Sequence, residues 1–197
     1  MIGDPHSVGD ILDRLHEIGE DKRHVTVGDI AEAFGSRSYG PFLLVPALIE
    51  ETPIGSIPGV PTALALIIAL FAVQMLIGRK HMWLPGWVKR REIGAERVKK
   101  ASDKLRGVAR FLDKWFHGRL PQLTRGPAVR VAAAICLLLC LTVPPLELLP
   151  WASSLQMAAI AAFGLALLVR DGVLMIVASV LAVAGLGVGI GLAGSRG

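Results

Sequence analysis

Residues 60–78 run for 19 positions, and residues 173–193 for 21, without one charged side chain. A bilayer core about 30 Å thick is crossed by roughly 20 helical residues. Both runs are therefore long enough to span, and few soluble folds could hold both. Further apolar stretches occupy 41–50, 128–143 and 151–169. The chain as a whole is 53% hydrophobic but only 6% aromatic and 19% charged, so the excess is aliphatic. Soluble domains average about 25% charged residues. The pattern excludes a disordered chain, a disulfide scaffold and most soluble enzyme folds. It predicts an all-α membrane protein forming a single domain over residues 1–197.

Proline then decides how the apolar runs are used. Between 41–50 and 60–78 lies Glu50-Glu51-Thr52-Pro53-Ile54-Gly55-Ser56-Ile57-Pro58-Gly59-Val60-Pro61. Pro53, Pro58 and Pro61 with two glycines forbid a continuous helix. A short apolar arm, a broken tip and a longer arm predict a first hairpin over 41–78. It is expected to re-enter at its first arm, with full spanning as the alternative. Broken backbone at membrane depth is tolerated only inside protein or beside a wet cavity. The block at 128–193 repeats the theme: an apolar arm, Pro144-Pro145 to Pro150, a returning arm over 151–169, the polar turn Arg170-Asp171-Gly172, and a terminal spanning helix. A shift of 92 residues superimposes Pro53 on Pro145 and Pro58 on Pro150, which predicts two hairpins related by an internal repeat.

Charge is unevenly placed. The net +5 conceals a segment, 1–40, with 4 Lys/Arg against 8 Asp/Glu, and another, 79–130, with 15 against 4. Residues 7–20 space Val8, Ile11, Leu12, Leu15 and Ile18 as an amphipathic helix, with Ser7 as its N-cap, and a second short helix fits Val27 to Phe34. These helices are acidic, so the basic central segment is their expected partner. No basic region precedes an apolar core at the N-terminus, so internal segments are expected to direct insertion. Residues 79–127 lack a spanning run. They place Trp83 and Pro85 among cations, then space Val98, Leu105, Val108, Phe111, Leu112, Trp115 and Phe116 along basic helices expected to lie on an anionic leaflet. The positive-inside rule puts this segment and the N-terminus in the cytoplasm. Both hairpins then enter from one side, as parallel repeats.

The stretch P-x-x-x-x-P-G-x-P-T…QMLIGRKHMWLPGWVKRREI resembles the signature region of the ExoD family of bacterial membrane proteins. Pro53, Pro58, Gly59, Pro61, Gln74, Gly78, Arg79, Trp83, Leu84 and Pro85 carry the likeness, with LPxLTRGP (Leu120 to Pro127) and RDG (Arg170 to Gly172) behind them. Lys80-His81-Met82 departs from the usual pattern. The resemblance implies an inner-membrane protein with a role in exopolysaccharide synthesis, and no particular reaction. E-E-T-P-I-G-S-I-P is also similar to the re-entrant break of DedA-type proteins, which implies handling of lipids, including polyprenyl phosphates.

The candidate ligand-binding residues follow. Glu50, Glu51 and Glu147 flank the breaks and suit proton or cation coupling, because ionisable groups at membrane depth are usually functional. Arg79, Arg130 and Arg170 suit phosphate, which guanidinium binds bidentately. Gln74 and Gln156 need amide partners across helices. Asp171 reads as part of a turn. Cys136 and Cys140, four apart, read as packing residues. No catalytic motif, metal-ligand cluster or cofactor loop appears, so neither enzyme nor cofactor is expected. The leading expectation is a transporter of an anionic lipid or lipid-linked sugar; the alternative is a non-catalytic scaffold or regulator of a polysaccharide synthesis complex. Expected partners are membrane lipids, anionic or polyprenyl-phosphate, and a second copy, since the run Gly185 to Gly191 offers a small-residue packing face. Nucleic acid is not expected.

Overall fold

The computed structural model describes residues 8–21, 24–34, 39–78, 86–115, 120–124, 126–146 and 153–194. It is almost wholly helical and divides into two compact units. One comprises residues 1–38 and 80–117, the other 39–79 and 118–197.

The first unit pairs α1 (Val8–Asp21) with α6 (Ala95–Trp115). The apolar stripe Val8, Ile11, Leu12 and Leu15 is buried against a stripe of α6 that includes Val98, Ala109 and Leu112. Opposite charges flank the seam: Asp13 meets Arg106 at 3.2 Å, Glu20 meets Lys99 at 3.6 Å, and His16 lies 3.6 Å from Asp103. The helices run antiparallel, so the end of α6 reaches the start of α1. There the Asp113 carboxylate accepts from the Val8 and Gly9 amides, both at 3.0 Å. A helix N-terminus leaves such N–H groups without intrahelical partners, and its dipole favours the negative charge. The N-cap role expected of Ser7 falls outside the described residues.

β1 (His24–Thr26) and β2 (Glu92–Gly94) form a three-residue antiparallel ribbon, with Val25 opposite Ile93. α2 (Val27–Phe34) follows β1 and opens with a reciprocal cap. Thr26 donates its amide and hydroxyl to Asp29, and Asp29 donates its amide back to the Thr26 hydroxyl. α5 (Gly86–Lys89) packs near α2. The ribbon went unread in the sequence because three residues are too few for a visible alternation.

The second unit holds α3 (Tyr39–Glu50), α4 (Val60–Leu76), α7 (Pro127–Leu146), α8 (Ser154–Val169) and α9 (Gly172–Gly194). A 3-10 turn, Pro53–Ser56, forms the tip between α3 and α4. Gly59 at φ 90° and Pro61 in the first turn start α4. The arms pair crosswise. α3 lies antiparallel to α8: the start of α3 meets the end of α8 at Gly40 and Gly164, and its end meets the start of α8 at Glu50 and Ser153. α4 packs against α7, with Gly78, just past the end of α4, under the Arg130 side chain of the first turn of α7. Both hairpins consequently point the same way. Gly40 and Gly164 lie 92 residues from Ala132 and Ala72, which are also buried. Gly78, left-handed at φ 77°, lies 92 residues from Arg170, left-handed at φ 53°.

α7 continues through Pro144 and Pro145, so this break comes later than the proline pair suggests. Each of these prolines forfeits its own bond to the carbonyl four residues back, and the helix ends one residue after the pair. Among the described residues one helix, α7, is clearly long and apolar enough to cross a membrane; α3, α4, α8 and the described 172–188 part of α9 are apolar but shorter. Apolar side chains point both ways from the bundle. Phe163, Ile160, Leu139 and Ile68 are sealed inside, whereas Leu141, Val183, Leu66 and Val180 are 64–73% exposed.

Candidate functional site

The tip between α3 and α4 is tightly built. Thr52 donates its hydroxyl to the Ile49 carbonyl at 2.6 Å and accepts from the Ile54 amide. The Gly55 amide donates to the Thr52 carbonyl at 2.9 Å. Gly55 is folded so closely over the end of α3 that any Cβ there would collide with the Glu50 carbonyl. This coil fixes Glu50 at the end of α3 with its side chain turned inward.

Glu50 is 7% exposed. The Ser153 hydroxyl, immediately before α8, donates to its Oε1 at 2.5 Å, within the range of a charge-assisted bond. Oε2 has no hydrogen-bond partner. One turn further along α8 the Gln156 amide nitrogen donates to the Gly185 carbonyl of α9 at 3.1 Å, while its Oε1 is left without a donor. A Cβ at Gly185 would meet Leu139 and Gln156 at ordinary contact distances of 3.5–3.7 Å, so the approach does not depend on glycine. Glu51, next in the chain, is exposed at the rim. Partial burial, and then the charge of Glu50, raise its carboxyl above the ordinary value.

The other expected ligand residues lie elsewhere. Arg130 sits with its guanidinium over Gly78, at the end of α4 remote from the tip. Arg170 ends α8, a 16-residue helix that separates it from Ser153 by about 24 Å. Glu50 and Glu51 thus lie at the opposite end of the bundle from Arg130 and Arg170. Asp171 is buried and accepts from the Val173 and Leu174 amides, capping α9. Gln74 is buried within α4. Pro53, Pro58 and Pro61 shape the tip and Pro145 the end of α7. Arg79, Trp83, Pro85, Glu147 and Pro150 lie outside the described residues. Cys136 and Cys140 are buried and free. Ser153 went unrecognised in the sequence; a serine before an apolar helix reads as an ordinary cap, and its true partner is 103 residues away.

Comparison with known proteins gives this bundle a family. Residues 8–190 match the family described as Exopolysaccharide synthesis, ExoD. The chain belongs to the ExoD family. It is 30% identical over 139 residues to Protein ExoD of Rhizobium meliloti (strain 1021), covering 68% of this chain and 57% of that protein. The chain therefore spans little more than half the length of this curated relative. No solved structure matches it. The description of the ExoD family names exopolysaccharide synthesis.

Proposed function

We propose that the second unit of this ExoD-family chain is embedded in the bacterial inner membrane and moves an anionic lipid or lipid-linked sugar intermediate of exopolysaccharide synthesis. The observation that carries this reading is Glu50: a carboxylate buried at a proline-broken tip and bonded to the opposite hairpin. Burying such a group is costly unless it is fully paired, and ionisable groups kept at membrane depth usually serve function. The outward apolar side chains of α4, α7 and α9 support a lipid environment, since soluble monomers rarely expose so large an apolar surface. The parallel hairpins, read as an internal repeat, would enter from the cytoplasmic side with the N-terminus also cytoplasmic. In this reading the chain performs no covalent chemistry, and the exposed Gly191 leaves the end of α9 for a second copy.

The scaffold reading draws on a different surface. Lys100, Lys104, Lys114 and Phe111 are exposed on α6 and suit an acidic protein or anionic headgroups. Complementation of a deletion strain separates the two. Transport predicts that Glu50→Gln inserts and melts like wild type yet loses at least tenfold in exopolysaccharide output. A scaffold predicts normal output from Glu50→Gln and loss from Lys100→Glu with Lys104→Glu.

A further inference from the structure

Among the described residues, two side-chain oxygens are buried without a donor, Glu50 Oε2 and Gln156 Oε1. They fall at one end of the bundle, at the last residue of α3 and in the first turn of α8. Glu50 is 93% buried and Gln156 fully so. Ser153, buried as well, belongs to the same stretch of chain, and its hydroxyl oxygen keeps lone pairs after donating to Glu50. An acceptor sealed from water without a donor is destabilising, and more so when charged. Two at the same end of the bundle call for a ligand that brings positive charge, not for an anionic headgroup.

We infer that Glu50, Ser153 and Gln156 form a binding site for a small monovalent metal cation, entered from the tip past Glu51. The donors are carboxylate, hydroxyl and amide carbonyl, all hard oxygens that suit alkali and alkaline-earth ions. The charge count selects between these. One carboxylate neutralises one positive charge, so a monovalent ion leaves the buried site neutral. A divalent ion would leave a net charge in a low-dielectric interior, where it is expensive. Glu51 is exposed and supplies no second buried counter-charge. A proton on Glu50 would turn one acceptor into a donor for the other, so the test varies pH and sodium separately. The inference needs only the packing of α3 and α9 on α8. Its failure would leave the lipid-handling reading standing, and the reverse is also true.

The test uses the full-length chain in detergent, with NaCl replacing choline chloride at constant ionic strength and pH. A cation that binds only the folded state should raise Tm saturably, by a few degrees at saturation. The rise should vanish in Glu50→Gln and Ser153→Ala and persist in Glu96→Gln, which removes an exposed carboxylate from α6. Binding of radioactive sodium should follow the same order. Should Glu50→Gln not yield folded protein, Ser153→Ala carries the comparison. An equal rise in choline, or a sodium response retained in both site variants, overturns the inference. A response to pH with none to sodium overturns it too, and gives the orphaned carboxylate oxygen to a proton.

Discussion

Replacing Gly164 by alanine drives a methyl group into the backbone of α3. The new Cβ would stand 2.7 Å from the Leu44 nitrogen, 2.8 Å from the Gly40 carbonyl oxygen and 3.1 Å from the Leu44 Cα. Comfortable packing needs about 3.5–4.0 Å, so the two helices must separate by roughly 0.8 Å. Backbone cannot rotate aside as a long side chain can. A gap of 0.5–1 Å forfeits about a quarter to a half of the attraction between facing atoms, and overpacking of this kind costs about 1–3 kcal/mol. Alanine returns up to about 1 kcal/mol of helix propensity. The net loss should be about 1–2 kcal/mol, which for a chain of this size lowers Tm by roughly 2–8 °C. Gly187→Ala is the matched control, because nothing lies within 4 Å of a methyl there. It should be neutral or raise Tm. Both variants are melted in the same detergent at two scan rates, since membrane proteins often unfold irreversibly. If Gly164→Ala melted at or above wild type while Gly187→Ala did not differ, the crossing of α3 and α8 would be misplaced.

Three further outcomes are expected. Asp113→Ala removes both caps from α1 and should cost about 1–2 kcal/mol, seen as faster amide exchange in the first turn of α1 while α7 and α8 keep their protection. Glu51 has a raised carboxyl, so its folded form prefers the proton and stability is lost as pH rises through that raised value; Glu51→Gln should therefore gain more in Tm at pH 7 than at pH 4, and an equal gain at both would refute the assignment. Cysteine is better placed at Ser56 than at Gly55, where a side chain collides with Glu50. A re-entrant tip predicts that Ser56→Cys reacts with an impermeant thiol reagent from the cytoplasmic side, and reaction only from the periplasm would mean a fully spanning hairpin.

What could be read from the residues was whatever is local. The spacing of Val8, Ile11, Leu12 and Leu15 marks α1, and Val27 to Phe34 matches α2 at both ends. Pro53 and Pro58 mark the tip because proline forbids a continuous helix wherever the rest of the chain lies. What stayed hidden has one cause, contact at long range. The acidic charge of α1 and the basic charge of α6 point to their pairing, and Val98 and Leu112 are buried beneath α1 while Leu105 and Phe111 stay exposed. Asp113 caps a helix 105 residues away. That the length of α8 keeps Glu50 from Arg170 is likewise a matter of which arms pair, and no local pattern shows it. Gln156 could be seen to need a partner across helices; that the partner is the Gly185 carbonyl could not.

The crosswise pairing of the hairpins also sets an order of events during synthesis. Each arm of the first hairpin rests on an arm of the second, and Glu50 must wait 103 residues for Ser153 to be made. At roughly 5–20 residues per second that is about 5–20 s with the tip carboxylate unmet and one face of α3 and α4 uncovered. The nascent first hairpin is then a substrate for whatever guards unfinished chains at the translocon. A defect at Ser153 would surface there, as protein that is made at the normal rate and removed before its second half can close over the first.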